Sequence, residues 1–174
     1  MKINSTKFKD LKIIKSPVHI DRRGFFRETF KNKLVKKNLV FGCSSKSRKN
    51  VLRGLHLQNK KSQGKFITVL KGEIFDVAVD LRKNSKTFGK YFSIYLSEKE
   101  NKSLLIPAGF AHGFCTLTND VVLHYKCSKY RHSQSETGIL WNDSELSIAW
   151  PKRKLTISEK DKNNISFRDF KDLI

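Results

Sequence analysis

Between residues 65 and 96 the chain alternates apolar and polar residues with a period of two, and turn residues interrupt the pattern at short intervals. Phe66-Ile67-Thr68-Val69-Leu70 is a β-branched run that ends in Lys71-Gly72-Glu73. Phe75, Val77, Val79 and Leu81 then fall on one face of an extended segment and Asp76, Ala78 and Asp80 on the other, before Asn84-Ser85-Lys86 turns again. Phe92, Ile94 and Leu96 alternate against Tyr91, Ser93 and Tyr95. Successive side chains of a strand point to opposite faces, so this pattern predicts half-buried strands, the middle one carrying carboxylates on its second face. Further strands are expected at 103–106, 114–117 and 121–125. Helical periodicity is weak, apart from a short piece near 31–38. Many short strands at regular spacing predict an all-β protein, an antiparallel sandwich or barrel. In a barrel alternate residues face the lumen, where several strands can build one site.

A length of 174 residues fits one domain with a sizeable core, and 13 Phe against one Met make that core stiff and aromatic. No apolar run approaches the ~20 residues needed to span a bilayer, and the N-terminal residues lack a signal-peptide pattern, so a cytoplasmic protein without a membrane partner is expected. Cys43, Cys115 and Cys127 cannot all pair with one another and form no CxxC unit, which points to a reducing compartment and away from structural zinc. Lys and Arg number 36 against 16 Asp and Glu, a net charge of +20. Such an excess suits a nucleic-acid binder, but lysine supplies most of it and is spread along the chain without a nucleic-acid motif. A solvated lysine-rich surface, with a few arginines free to hold phosphate, is the better reading; no nucleic-acid partner is expected.

Two segments carry chemistry. Val51-Leu52-Arg53-Gly54-Leu55-His56 ends an apolar stretch with a cation and an imidazole, and Ile106-Pro107-Ala108-Gly109-Phe110-Ala111-His112-Gly113-Phe114 sets a second histidine among small and aromatic residues. A metal site would need three or more ligands, yet Leu57-Gln58-Asn59 follows His56 with neither a second histidine nor a glutamate, so no metal and no cofactor are expected. A neutral imidazole can instead take a proton near neutral pH, and a carboxylate on its far nitrogen fixes the tautomer. Asp161 can serve if the C-terminal segment returns over the barrel. Other polar residues have a plain structural reading: Tyr125 shares a strand face with Leu123 and suits a core, Arg23 can pair with Asp21 or Glu28, Asp76 can cap a buried network, and Lys160 can be one surface lysine among many.

In chain order stand Asp21-Arg22-Arg23-Gly24-Phe25-Phe26-Arg27-Glu28, residues 51–56, Gln63-Gly64-Lys65, Phe75-Asp76-Val77-Ala78-Val79-Asp80-Leu81-Arg82, Thr87-Phe88-Gly89, residues 106–114, Tyr125-Lys126, Trp141-Asn142-Asp143 and Trp150-Pro151. Over roughly residues 10–165 this resembles the dTDP-4-dehydrorhamnose 3,5-epimerase family. The resemblance implies a metal-free, cupin-type antiparallel jelly roll with a few short helices. Residues 1–174 would form a single epimerase domain whose last segment, from about 151, folds back on the barrel. It implies a homodimer and, as substrate, a nucleotide-diphosphate sugar bearing a 4-keto-6-deoxyhexose, on the way to a surface polysaccharide. His56 matches the general base, Asp161 its partner and Tyr125 the acid on the opposite face of the sugar. Lys65 and His112 match groups near the C4 oxygen, Arg23, Arg53 and Lys160 the diphosphate and sugar contacts, and Glu28 and Glu136 further ligand-contacting positions. The site would be completed by an N-terminal strand of the partner subunit.

Three positions depart from the family pattern. Phe41 and Cys43 stand where a glutamine and an asparagine are usual, and Arg131, with Tyr130 just before it, stands where a tyrosine stacks on the thymine. Arginine can stack through its guanidinium plane, and Tyr130 can take the missing tyrosine's place. Because the chemical positions are kept and the base-reading ones change, CDP- or GDP-linked sugars are carried as alternatives to dTDP. Inversion at C3 alone, a 3,4-ketoisomerase and a non-catalytic binding cupin are the other readings to be tested.

Overall fold

A computed structural model describes residues 1–151 and 154–174; Lys152 and Arg153, at the start of the C-terminal segment, lie outside the described residues. Fourteen strands and three short helices follow in order: β1 Lys2–Ser5, β2 Lys12–Lys15, β3 Val18–Asp21, β4 Gly24–Arg27, α1 Asn32–Val35, β5 Phe41–Ser47, β6 Val51–Gln58, β7 Lys65–Lys71, β8 Glu73–Asp80, β9 Tyr91–Ser97, β10 Lys102–Ile106, β11 Phe110–Thr116, β12 Val121–Cys127, β13 Glu136–Gly138, β14 Thr156–Ile157, α2 Glu159–Lys162 and α3 Phe167–Asp172. The predicted strands at 103–106 and 121–125 are present with longer bounds, the one expected at 114–117 runs from Phe110 to Thr116 and stops short of Leu117, and α1 is a single turn, Asn32–Val35, within the helical stretch expected near 31–38.

The strands form two main sheets, in the orders β1-β2-β10-β7-β12-β5 and β13-β6-β11-β8-β9, and among the described residues β3 and β4 pair only with each other. Ladders within the sheets are antiparallel, and β14 adds a parallel pairing to β6, Thr156 beside Val51 and Ile157 beside Leu52. This is the antiparallel jelly roll expected. Period two decides what each sheet turns inward. From the first sheet come Ile67, Val69, Leu104 and Leu123, and from the second Ile74, Ala78, Leu96, Phe110 and Phe114; together they make one buried cluster between the layers. Each of these side chains larger than Ala78 contributes about 1.5–3 kcal/mol on removal from water.

The expectation of a half-buried β8 is corrected: all its residues after Glu73 are buried. The Asp76 and Ala78 face lies inside the barrel, while Phe75, Val77, Val79 and Leu81 pack under a second apolar layer that includes Ile139, Leu146, Phe167 and Phe170. Residues from the C-terminal third cover the face that local alternation would leave to solvent or to a single core.

One close approach sets the site. Gly54 in β6 has φ +146°, and a Cβ there would meet the Gly113 Cα of β11 at 2.5 Å. Backbone cannot yield as a flexible side-chain tip can, so β6 and β11 reach this spacing only with glycine at Gly54. Immediately beside it, His56 and His112 are register partners.

Candidate active site

His56 sits in β6 between Leu55 and Leu57, both of which pack into the outer apolar layer, so alternation turns His56 inward. Its Nε2 lies 2.7 Å from Asp161 Oδ1. Asp161 arrives on α2, a single turn whose N-cap Ser158 accepts a hydrogen bond from the Asp161 backbone N–H at 3.1 Å. Its other oxygen, Oδ2, accepts from the Gly54 N–H at 3.2 Å. Burial alone would raise the Asp161 carboxyl, but the hydrogen bonds from His56, Gly54 and Ser158 and the charge of His56 outweigh it and hold the group below the ordinary aspartate range. A carboxylate fixed this way stays charged and can stabilise an imidazolium formed on His56.

Beside it, His112 Nε2 meets Asp76 Oδ2 at 2.9 Å with both side chains sealed from solvent. Asp76 Oδ1 is buried without a hydrogen-bond partner. Asp76, expected to cap a buried network, stands beside His112 in the barrel interior and so belongs to the site's electrostatics.

The opposite sheet supplies the other groups. Tyr125 in β12 and Cys43 in β5 are register partners, and the Tyr125 hydroxyl shares a hydrogen bond of 3.2 Å with Ser45 Oγ. Ser45 was not anticipated, although it follows Cys43 by two residues and so shares its face. Burial pushes the Tyr125 phenol well above the usual tyrosine range, the Ser45 hydrogen bond opposing it only in part. Such a phenol remains protonated, so it holds a proton at the cavity wall. Lys65 opens β7 and its Nζ donates to the His56 carbonyl oxygen at 3.4 Å. Burial pulls this ammonium below the usual lysine range, with the nearby thiols and the Asp76 and Glu136 carboxylates opposing the effect.

These groups converge on two adjoining cavities. One of about 330 Å³ is lined by His56 and His112 from one sheet and by Lys65, Tyr125, Ser45 and Cys43 from the other. The second, of about 580 Å³, shares Arg53, His56, Lys65, Arg131 and Glu136 with the first and adds Asp161 and Lys160. Arg53 is steadied by Ser47, whose Oγ accepts from its Nε at 3.0 Å. Arg131 grips Glu136 through two hydrogen bonds of 2.6 and 3.0 Å, and Lys160 Nζ reaches the same carboxylate at 3.1 Å. The Arg131 hydrogen bonds, more than Lys160, hold the Glu136 carboxyl down at about 2. Among the described residues no group of three or more His, Cys, Asp or Glu is arranged to hold a metal ion.

Three expected site residues stand elsewhere in the single chain. Arg23 is highly exposed and paired with its neighbour Asp21 at 2.7 Å, Glu28 is paired with Lys31 at 2.6 Å, and neither lines the two cavities. Tyr130 is 70% exposed at the rim, its ring 6.1 Å from that of Phe41, which does line the smaller cavity.

Residues 5–169 match the family model described as dTDP-4-dehydrorhamnose 3,5-epimerase. The chain belongs to this family. A dTDP-4-dehydrorhamnose 3,5-epimerase of Methanothermobacter thermautotrophicus is 45% identical over 87% of this chain and 86% of its own length. One of Shigella flexneri is 42% identical over 97% of each. Among solved structures, the dTDP-6-deoxy-D-glucose-3,5-epimerase of Legionella pneumophila in complex with dTDP-4-keto-L-rhamnose superposes with a TM-score of 0.92 at 40% identity, covering 96% of this chain and 93% of that one. The family places the chain among isomerases that act on nucleotide sugars. No helix among the described residues is long and apolar enough to cross a membrane.

Proposed function

We propose that this protein epimerises C3 and C5 of a dTDP-linked 4-keto-6-deoxyhexose. The observation that carries this reading is the delivery of His56, backed by Asp161, and of Tyr125 from opposing sheets into one cavity that Lys65 also lines. A C–H bond beside a ketone yields its proton only when the resulting enolate is stabilised, and a cation with hydrogen-bond donors at the C4 oxygen does this. His56 takes the proton from one face of the ring, Asp161 holds its tautomer and balances the imidazolium, and Lys65 and His112 steady the oxyanion. Tyr125 returns a proton from the opposite face, which inverts the centre. Arg53, Lys160 and Arg131 face the diphosphate, whose fork of oxygens suits arginine. The active unit is one jelly-roll domain, residues 1–174, closed by the segment after about 151, in the cytoplasm.

The carrier is dTDP rather than CDP or GDP, because relatives up to 45% identical are named for dTDP sugars. Phe41 and Tyr130, adjacent at the rim, take the place of the missing stacking tyrosine. The β3–β4 hairpin supports a homodimer: it pairs only with itself yet exposes Ile20, Phe25 and Phe26. Docked on a second copy, it carries Arg23 and Glu28 into the partner's larger cavity.

The test is solvent exchange. In D₂O with dTDP-4-keto-6-deoxyglucose, NMR should find deuterium at C3 and C5 and an epimerised 4-keto product. Deuterium at C3 alone would reduce the activity to a monoepimerase, a 3-keto product would replace it with a ketoisomerase, and no exchange would leave a binding protein. Competition among dTDP, CDP, GDP and UDP reads the base, and preference for CDP or GDP would overturn the dTDP assignment.

A further inference from the structure

The larger cavity has an unusual internal charge arrangement. Four cations line it, Arg53, Lys65, Arg131 and Lys160, against two carboxylates, Glu136 and Asp161. Counting His56 as neutral, the wall carries a formal excess of two positive charges among the described residues. Asp161 is engaged by His56 and the Gly54 N–H. Glu136 is engaged by both Arg131 and Lys160, cations that come from different parts of the chain, the segment after β12 and helix α2.

The burial of this triad is uneven. Glu136 is 22% exposed, while Arg131 and Lys160 are 65% and 64% exposed. The carboxylate therefore sits behind two solvent-facing cations, and Arg131 commits its Nε and one Nη2 N–H to it. The charge of that arginine is partly offset, while its remaining N–H donors stay available to a phosphate.

The geometry points to Glu136 as a specificity-determining residue that sets the charge of the nucleotide cavity, so that it matches a diphosphate diester and disfavours more highly charged nucleotides. The assignment rests on the proposed nucleotide-sugar reading of the cavity and names what limits its ligands. A phosphate within a diester keeps about one negative charge, whereas a terminal monoester approaches about two above its second pKa near 6. A nucleoside-diphosphate sugar thus carries about two charges, a free nucleoside diphosphate about three and a triphosphate about four. A wall with an excess of two neutralises the first. With Glu136 neutral the excess becomes three, and Arg131 and Lys160 are released to the ligand. The surface of this chain makes such a device useful, because a net charge of +20 draws polyanions to it without discrimination. A carboxylate set against surplus charge rejects the wrong ligand by repulsion rather than by loss of contacts.

The experiment is calorimetric binding of dTDP-glucose, dTDP and dTTP at pH 8 in EDTA, with the wild-type protein and Glu136→Gln. Glutamine keeps the shape and removes the charge. The preference for dTTP over dTDP-glucose should rise on the order of tenfold in Glu136→Gln, and the rise should shrink as salt is added. Arg131→Gln, with one cation fewer, should move the preference the other way. Equal changes for all three ligands, or no change, would overturn the inference while leaving the nucleotide-sugar reading intact. Failure of the wild-type protein to bind dTDP-glucose at all would overturn both. Matching melting temperatures for wild type and variants tie any change to the site rather than to folding.

Discussion

His56 and His112 are register partners on adjacent strands, and each imidazole has its own aspartate, Asp161 at 2.7 Å and Asp76 at 2.9 Å. The two pairs are built alike and placed differently. The His56 side chain is 39% exposed and opens onto both cavities, whereas His112 and Asp76 are sealed at 4% and 0%. An open imidazole can exchange its proton with a ligand and with water. A sealed one is a fixed hydrogen-bonding and electrostatic element. The division makes separate expectations for the two pairs.

His56→Asn should remove exchange at C3 and C5 while the protein stays folded, because the lost side chain is half open to solvent and its carbon neighbours remain packed. Asp161→Asn should retain weak exchange: the amide can hold the ring but cannot balance the imidazolium. A rate loss of about 10²–10⁴-fold is expected for each, as for loss of a positioned general base. Deuterium incorporation followed by NMR measures it, and near wild-type exchange in His56→Asn would remove His56 from the mechanism.

Truncating His112 should be felt in stability as well as at the oxyanion. Among the described residues, His112→Ala strips the one hydrogen-bond partner of the buried Asp76 carboxylate, whose other oxygen is unpartnered. Leaving a buried charge without compensation costs about 3–5 kcal/mol. The double variant His112→Ala with Asp76→Asn should recover much of that loss, because the remaining group is then neutral. Urea denaturation of the two variants decides the matter: a double variant no more stable than His112→Ala would mean that packing, not the carboxylate, sets the cost.

Asp80 gives the fold a defined response to acid. Its side chain is fully buried, and burial alone would raise its pKa, but hydrogen bonds from Arg82, Ser85 and Thr87 prevail and bring it to about 2, from an ordinary value of 3.8. The native carboxylate therefore binds a proton more weakly than the unfolded one. Its contribution of about 2 kcal/mol is complete above about pH 4 and fades as the pH falls toward 2. Asp80→Asn should lower stability at neutral pH by a comparable amount and flatten that part of the acid limb. Denaturation midpoints at pH 7, 4 and 3 test this; an unchanged acid limb in the variant would place the sensitivity elsewhere.

How much of this was legible in the sequence depends on whether the cause was local. Alternation at Phe75, Val77, Val79 and Leu81 marked β8 because a strand displays its period within eight residues. It did not show that the Asp76 face was buried as well, since the cover comes from the opposite sheet and, for the other face, from Phe167 and Phe170 near the end of the chain. The pairing of His56 with Asp161 spans 105 positions, and no spacing rule predicts it; resemblance to a family did. Ser45 was within reach of the period-two rule, two residues from Cys43, but a lone serine carries no signal until the Tyr125 hydroxyl is beside it. Arg131 was read as a lost stacking residue, and its grip on Glu136 depended on a chain reversal that composition does not reveal.

The hairpin carries the last expectation. Ile20 and Phe25 are register partners, so both lie on one face of β3–β4, and they are 81% and 63% exposed. An isolated two-stranded hairpin is marginal in water, and clustered exposed apolar side chains mark a contact surface. If that surface is the seam of a homodimer, Phe25→Glu should yield a monomer by light scattering with a raised KM, because Arg23 and Glu28 no longer reach a second cavity. Arg23→Ala should raise KM while leaving the dimer assembled, since among the described residues its ion pair is with exposed Asp21. The two variants separate assembly from ligand contact. A Phe25→Glu protein that remains dimeric with unchanged KM would show that the hairpin completes no site, and the cavities described above would then have to bind the sugar nucleotide within one subunit.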